Sequence, residues 1–139
     1  MKIALIAHDS KKMLLTEFCV AYKHILASHQ LCATATTGNH IAAATGLKVQ
    51  MCLSGLTGVQ QIAAMVSCNE VDLVIFFRDP YGRKQHEPDE KDLLRLCDAH
   101  TIPVATNIAT AEALVLGLQR GDLDWRTSQK KLGFDSSPL

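Results

Sequence analysis

The sequence has no excess of either charge and no long apolar run. Lysine plus arginine number 14, aspartate plus glutamate also number 14, and the formal net charge is zero. Because no broad field of one sign exists, we expect neither nucleic acid nor a membrane surface as a partner. No apolar run approaches the roughly 20 residues of a membrane span, and the opening MKIALIAHD reaches a histidine and an aspartate too early for a signal peptide. We therefore expect a cytoplasmic protein.

Closely spaced metal ligands are also missing from the sequence. A zinc site needs ligands a few residues apart, and the five cysteines form no CxxC pair. Each cysteine lies in an otherwise apolar run, so we expect small buried hydrophobic residues in a reducing compartment and no bound metal. They are Cys19, Cys32, Cys52, Cys68 and Cys97.

Short apolar runs alternate with segments of helical periodicity. The runs are nearly continuous in apolar character, as strands buried on both faces are; they cover 2–7, 31–35, 49–53, 72–77 and 102–106. Helical spacing of apolar residues marks 11–28, 59–68, 93–97 and 109–118, and a shorter helix is expected at 38–45. The alternation predicts a single-domain α/β fold, a doubly wound five-stranded parallel sheet with helices on both faces. We expect this domain to cover 1–125, and the polar residues 126–139 to form a poorly ordered tail or an intersubunit arm.

Polar residues follow the first three predicted strands, at the sheet edge where ligands bind in such folds. His8 and Lys12 follow the first strand, and Ser54-Gly55 follows the third. The second strand leads into TATTGNH (34–40), where hydroxyls, free N–H groups and a positive helix terminus favour an anion site. The sequence therefore predicts one or two phosphate cradles.

Ordinary helix capping is the alternative interpretation of the same residues. Asp9 or Ser10 is a suitable cap for a first helix, and Thr36 or Thr37 for a second. His8 could equally be a core histidine whose hydrogen bonds are satisfied. After the third strand, Thr57 has the position of an N-cap, with a glutamine three residues later completing a capping box.

The loop after the fourth strand, 78–92, carries the densest set of reactive side chains. Pro88, Asp89 and Glu90 suit the first turn of a helix. This explanation does not cover His86, three residues before Asp89. A histidine beside a carboxylate can transfer protons, so the sequence predicts a phosphate site next to a proton-transfer site. After the fifth strand, Asn107 is expected to cap a helix.

Taken together, the sequence resembles the methylglyoxal synthase family over nearly the whole chain to about residue 120. The resemblance is carried by IALIAHDSKK, ATATTGNHI, ATGL, LSG, QQI, DLVIFFRDP, HEPD, LLRLCD and IPVATNIATAE. It implies the doubly wound fold, a homohexamer, and conversion of dihydroxyacetone phosphate to methylglyoxal and inorganic phosphate without metal or organic cofactor. In that chemistry a base removes a proton from the hydroxymethyl carbon, donors stabilise the enediolate, and phosphate is eliminated.

The resemblance also implies roles for individual residues. His86 would polarise the substrate oxygens, Asp89 would be the supporting carboxylate, and His8 would contact the substrate. Ala35 stands within the threonine loop where the family has glycine, which would matter if that position needed a positive φ. The phosphate-binding residues would be Lys12, Thr34, Thr36, Thr37, Gly38, Ser54 and Gly55, in a loop set that includes Ala35.

The third loop departs from the family pattern. That pattern reads SGP, one residue, then GGDQQ. The resemblance implies that its aspartate is the catalytic base. This chain reads SGLTGVQQ: it is one residue shorter, with Leu56 in place of the proline and Val59 in place of the aspartate. Valine cannot accept a proton, and loss of a general base costs about 10²–10⁴ in rate.

Three hypotheses follow from this substitution. The first is a methylglyoxal synthase, slowed or not, that uses Asp89 as base with His86. The second is a catalytically silent relative that binds a small phosphorylated metabolite or inorganic phosphate as a sensor. The third is a different lyase or isomerase of a phosphorylated compound.

Overall fold

Five parallel strands form one sheet in the order β3-β2-β1-β4-β5. The computed structural model describes the backbone of residues 1–131 and the side chains of residues 1–128. The strands are β1 (Lys2–Ala7), β2 (Gln30–Thr34), β3 (Gln50–Cys52), β4 (Leu73–Phe77) and β5 (Val104–Ala105). The helices are α1 (Lys12–Ala21), α2 (Lys23–Leu26), α3 (Ala35–Thr45), α4 (Gly55–Ser67), α5 (Lys91–Ala99), α6 (Ile108–Arg120) and α7 (Asp124–Lys131).

Strand β1 is central, and its side chains alternate between two hydrophobic clusters. Ile3 and Leu5 pack into a cluster that includes residues of α1, α3 and α6. Ala4 and Ile6 pack into a second cluster with residues of α4 and α5. Because successive side chains of a strand point to opposite faces, helices cover both faces of the sheet. The predicted α/β fold is therefore confirmed.

The strand order reverses at the junction of β1 and β4, where the backbones remain joined beyond the strand ends. The His8 N–H donates to the Phe77 carbonyl oxygen at 3.0 Å. On the far side of β4, the Arg78 N–H donates to the Thr106 carbonyl oxygen at 3.3 Å. A reversal of this kind leaves a crevice at the carboxyl ends of the strands, and the candidate site lies along the same edge of the sheet.

Several helix boundaries differ from those expected. The predicted helix 11–28 is interrupted at Tyr22, which separates α1 from α2, and a 3₁₀ turn over Asp9–Lys11 precedes α1. Helices α3 and α4 begin earlier than predicted, because Thr34 and Ser54 have the extended backbone of N-cap positions. The expected caps at Thr36 or Thr37 and at Thr57 are therefore wrong.

The last described helix, α7, packs onto the domain through a buried arginine. Arg126 in α7 is 1% exposed, and its Nε donates to Asp72 Oδ1 at 3.2 Å. Its other nitrogens donate to the Thr101 carbonyl oxygen at 3.0 Å and to Asn69 Oδ1 at 2.9 Å. A buried charge needs such partners, so Arg126 belongs to the packed domain rather than to a tail that starts after residue 125. The remainder of the expected tail, 132–139, lies outside the described residues.

Four cysteines are buried as predicted, while the prediction is wrong for Cys68, which is exposed. Burial raises the pKa of the Cys19, Cys32 and Cys97 thiols to about 12. Among the described residues, no three histidine, cysteine, aspartate or glutamate side chains cluster as metal ligands would. None of the helices described is both long and apolar enough to cross a bilayer.

Candidate active site

A cavity of about 360 Å³ opens at the carboxyl ends of β1, β2 and β3. It brings together six of the residues predicted from the sequence: Lys12, Thr34, Thr36, Ser54, Gly55 and His86. The other lining residues are Ala7, Asp9, Leu56, Glu87 and Pro88.

The N-termini of α3 and α4 meet at this cavity. The Thr36 and Ser54 hydroxyl oxygens lie 3.2 Å apart, one from each helix start. The first ladder bond of α4 runs from the Gly58 N–H to the Ser54 carbonyl oxygen at 3.4 Å, so the preceding N–H groups of the helix are not used by the ladder. Two positive helix termini with hydroxyls between them are suited to bind an anion.

Two glycines let α4 start this close to its neighbours. Gly55 has a φ of +64°, and a Cβ there would lie 2.9 Å from the His86 carbonyl oxygen. A Cβ on Gly58 would overlap the Leu53 carbonyl oxygen and press against the Thr34 methyl group. The glycines of LSGLTGVQQ therefore bring α4 against both β3 and the segment that carries His86.

A carboxylate that the sequence predicts only as a helix cap, Asp9, lies between the Lys12 and His86 side chains of the cavity. Asp9 Oδ1 accepts from Lys12 Nζ at 2.8 Å, and Asp9 Oδ2 lies 3.0 Å from His86 Nε2. The Lys12 hydrogen bond, followed by that of His86, lowers the pKa of Asp9 to about 2. The spacing of Asp9 and Lys12 after a strand was visible in the sequence, but the contact with His86 spans 77 residues and was not.

Glu87 is a second carboxylate that sequence reasoning missed. It is 4% exposed, and its two oxygens accept the backbone N–H groups of Asp9 at 2.5 Å and Lys84 at 2.6 Å. Burial raises the pKa of Glu87, but these two N–H groups outweigh burial and the pKa lies below its ordinary value. Glu87 thereby holds the segment 84–88 against the end of β1.

His8 is buried beneath the cavity rather than exposed to it, at 1% exposure. The Asp79 N–H donates to its Nδ1 at 2.8 Å, so the ring proton resides on Nε2, which donates to the Pro88 carbonyl oxygen at 2.8 Å. Its ring also meets Phe76 edge-on, with centroids 5.3 Å apart. The structure gives His8 two backbone partners, the Asp79 N–H and the Pro88 carbonyl oxygen. The substrate contact that the resemblance implies for His8 stays a prediction.

The structure does not bring Asp89 into the cavity. Asp89 Oδ1 accepts the Lys91 N–H at 3.1 Å, and Oδ2 lies 3.4 Å from Arg83 Nη2. The Lys91 N–H lowers the pKa of Asp89, and Arg83 adds to the effect. The carboxylate lines a separate depression of about 210 Å³ between α4 and α5, because α5 begins at Lys91, later than Pro88 suggested.

The remaining residues of the threonine loop contribute backbone rather than cavity wall. Ala35 is the first residue of α3, and the positive-φ residues outside glycine are Asn69 and Thr101 among those described, so alanine is unstrained at 35. Thr37 and Gly38 are buried within α3. The Thr37 hydroxyl has no hydrogen-bond partner among the described residues.

Val59 lies in the core, where the family has its aspartate. It is 7% exposed and packs with Ile62 and Val66 of α4. Gln61 Oε1 accepts the Leu53 N–H at 2.6 Å, so one of the two glutamines anchors the end of β3.

Asn107 caps α6 as predicted, since its side chain accepts the Thr110 N–H at 3.2 Å.

The chain is similar to known proteins over most of its length. Residues 15–106 match the family model of the MGS-like domain. A methylglyoxal synthase of Listeria welshimeri is 60% identical over 127 residues, which are 91% of this chain and 95% of that protein. A methylglyoxal synthase of Caldicellulosiruptor saccharolyticus is 58% identical over 127 residues, covering 91% and 90% of the two chains.

A solved structure shares the architecture. The crystal structure of methylglyoxal synthase from Elizabethkingia anophelis NUHP1 has a TM-score of 0.79 with this chain at 39% identity, and the match covers 82% of this chain and 76% of that one. The resemblance inferred from the motifs is thus confirmed by the family model, by the relatives and by this fold. This chain belongs to the methylglyoxal synthase family.

Proposed function

We propose that this chain is a methylglyoxal synthase, a lyase that converts dihydroxyacetone phosphate to methylglyoxal and inorganic phosphate. One structural observation carries the proposal beyond family membership: two helix N-termini and the Lys12 ammonium converge on one cavity beside His86. The cavity is of the size of small-molecule sites, which begin at about 300 Å³.

The phosphate end of the substrate is assigned to the wall formed by α3 and α4. Hydroxyls of Thr34, Thr36 and Ser54 and the first N–H groups of both helices supply donors without net charge. Lys12, which lines the same cavity, supplies a cation. Charge-assisted hydrogen bonds of this kind match a dianion that later departs as phosphate. Thr37, Gly38, Ala35 and Gly55 take part in this assignment through their backbone.

The carbonyl end of the substrate is assigned to His86. Its Nε2 points to Asp9 at 3.0 Å across the cavity, and its side chain is 69% exposed. An imidazole N–H in this position donates to the oxygen on which enediolate charge develops. The residues assigned here bind, orient and stabilise; the chemistry they perform needs neither metal nor organic cofactor.

The assembly and the location of the protein are part of the same proposal. Exposed apolar side chains on α1 and α6 support burial between copies in a homohexamer; they are Met13, Val20 and Leu116. Free buried thiols support a reducing, cytoplasmic setting. Light scattering coupled to size-exclusion chromatography tests the hexamer, and a monomer at micromolar concentration would contradict it.

The function is tested by product analysis with the purified chain. Dihydroxyacetone phosphate is supplied, and trapped methylglyoxal and inorganic phosphate are measured together over time. Equal amounts of both products, well above a blank and above a Lys12→Met variant purified in parallel, are expected. Tight binding of phosphate or of a phosphoglycolate-like enediolate mimic without any product would contradict a lyase and favour the silent, phosphate-binding relative.

A further inference from the structure

The cavity has no carboxylate at the position where the family has its base. Val59, a residue of α4, is buried in the core, and Asp89 is held at the start of α5 by the Lys91 N–H. Two carboxylates line the cavity among the described residues, Asp9 and Glu87. A base for the proposed reaction has to be sought between these two.

Glu87 is unsuited to accept a proton from a substrate. Its side chain is 4% exposed, and each oxygen is engaged by a backbone N–H. Backbone donors cannot turn away without unfolding the segment that they hold. Protonation of Glu87 would therefore oppose the hydrogen bonds that position His86.

Asp9 differs in exposure and in the nature of its partners. Its side chain is 40% exposed, and its partners Lys12 and His86 are both side chains that line the cavity. Lys12 and the hydroxyl-bearing residues of the two helix N-termini line the same cavity. A phosphate dianion bound there would compete with Asp9 for the same ammonium group.

We infer that Asp9 is the catalytic base of this chain, and that the substrate's phosphate frees it by taking over Lys12. The inference rests on the proposed function. In the empty cavity, the Asp9 carboxylate neutralises Lys12; in the complex, the phosphate does so. Binding and activation of the base are then one event, because the base is released only beside a bound phosphate.

In the proposed reaction, Asp9 and His86 each transfer a proton to or from the substrate and each return to their starting state. Asp9 takes a proton from the hydroxymethyl carbon, the C–H electron pair forms a carbon–carbon double bond, and the carbonyl oxygen receives a proton from His86. The hydroxyl on the former hydroxymethyl carbon then loses its proton and becomes the aldehyde. The double bond shifts toward the phosphate-bearing carbon, and the C–O bond of that carbon breaks. The electron pair of this bond leaves with the phosphate, which also takes up the proton lost by the hydroxyl. The resulting enol returns its proton to His86 and receives the Asp9 proton on its terminal carbon, which becomes the methyl group.

The ionisation of Asp9 agrees with this exchange of partners. Lys12 is the largest cause of the low pKa of Asp9, about 2, and His86 the next. A base works best with a pKa nearer the working pH, and withdrawal of Lys12 raises the pKa of Asp9. The charged and titratable groups that face Asp9 are Lys12 from α1 and His86 and Glu87 from the segment 84–88.

The first test uses inorganic phosphate alone as the probe. The Asp9 side-chain carboxyl is titrated by NMR with and without saturating phosphate, with Asp9→Asn to assign the signal. The expected result is an upward shift of the Asp9 midpoint when phosphate binds. A midpoint that stays the same or falls would show that phosphate does not release Asp9, and would overturn the inference.

The second test measures proton abstraction directly. Dihydroxyacetone phosphate deuterated at the hydroxymethyl carbon is supplied. Label release, meaning transfer of one deuterium from that carbon either to water or to the methyl group of the product, is followed by NMR together with methylglyoxal. Asp9→Asn is expected to slow label release at least 100-fold, the usual range for a lost base, while it retains binding of inorganic phosphate. Asp9→Glu is expected to keep part of the rate. Asp122→Asn is the matched control, since it also removes an exposed carboxylate from a 2.9 Å ion pair, with Arg120.

The outcomes separate this inference from the proposed function. Label release without methylglyoxal, lost in Asp9→Asn, would support Asp9 as base and contradict the lyase. Methylglyoxal formation with normal label release in Asp9→Asn would support the lyase and overturn Asp9 as the base. Loss of label release in Asp89→Asn instead would have the same meaning. No label release by the unaltered chain would overturn both.

Discussion

The Thr36 and Ser54 hydroxyl oxygens lie 3.2 Å apart and connect the first turns of α3 and α4. Each residue belongs to a helix that follows a different strand, and both line the candidate phosphate wall. Because a hydrogen bond to a charged ligand contributes about 1.5–3 kcal/mol, removal of either hydroxyl has a measurable consequence.

Replacement of Ser54 by alanine is expected to weaken binding of inorganic phosphate at least about tenfold, since one donor to the anion is lost. Calorimetric titration measures the effect. Thr57→Val is the matched control, because Thr57 is an exposed hydroxyl-bearing residue of the same helix that is not part of the cavity wall as described. Equal phosphate affinities of the two variants would contradict binding of the anion at the start of α4.

Replacement of Gly55 by alanine is expected to destabilise the fold and to weaken phosphate binding. Its φ of +64° costs a non-glycine residue about 1–2 kcal/mol, and the new Cβ would displace the His86 carbonyl oxygen. Gly46→Ala has the same backbone cost, with a φ of +74° and open space around the Cβ. Urea unfolding of both variants measures the cost of the backbone strain, which they share. Phosphate titration measures the effect of displacing the His86 carbonyl oxygen, so only Gly55→Ala should lose affinity for phosphate.

Replacement of Val59 by aspartate is expected not to restore the family's base. The new carboxylate would lie in the core with Ile62 and Val66, and an uncompensated buried charge costs about 3–5 kcal/mol. Denaturant unfolding measures this loss, and Val59→Ala controls for lost packing volume. A folded Val59→Asp protein with faster methylglyoxal formation would mean that α4 can turn this position toward the cavity.

Replacement of Arg126 by methionine is expected to destabilise the chain by about 3–5 kcal/mol, because the Asp72 carboxylate stays buried without this cation. The double variant Arg126→Met, Asp72→Asn should recover part of the loss. Chemical denaturation of the four members of the cycle gives the coupling energy. Additive effects would show that α7 contributes independently of this ion pair.

Acidification is expected to remove a contribution of Asp9 to stability. Its pKa in the fold is about 2, below the ordinary value of 3.8. A carboxyl with a lowered folded pKa stabilises above its unfolded pKa and loses this effect as the pH falls through the folded pKa. The difference in unfolding free energy between the unaltered chain and Asp9→Asn should thus be constant above about pH 5 and should shrink between about pH 4 and pH 2. A constant difference down to pH 2 would contradict the ion pair.

The fold could be predicted because the strands carry their own signal. Residues 3–7 are buried on both faces, and such strands read as continuous apolar runs. The anion wall could be predicted as well, since Ser54 and the threonines directly follow their strands. Helix starts were less certain, because Thr34 and Ser54 take the N-cap positions through backbone conformation rather than through a side-chain signal.

The proton-transfer half of the site was harder to predict, since it depends on long-range contacts. Asp9 meets His86 across 77 residues and Glu87 across 78. These contacts exist because the segment 84–88 folds back over β1, whereas Asp89 turns toward α5. Their closeness in sequence predicted that Asp89 and His86 share a site. In the structure, His86 lines the cavity, whereas Asp89 lines the depression between α4 and α5.

The two walls of the anion site belong to different halves of the interior. Helix α3 anchors Ile41 in one hydrophobic cluster, whereas α4 anchors Ile62 in the other, across the sheet. Their first turns meet at the rim, where the Thr36 and Ser54 hydroxyl oxygens lie 3.2 Å apart. Looser packing in either cluster would shift the first turn of α3 relative to that of α4. Anion affinity therefore depends on core packing on both faces of the sheet.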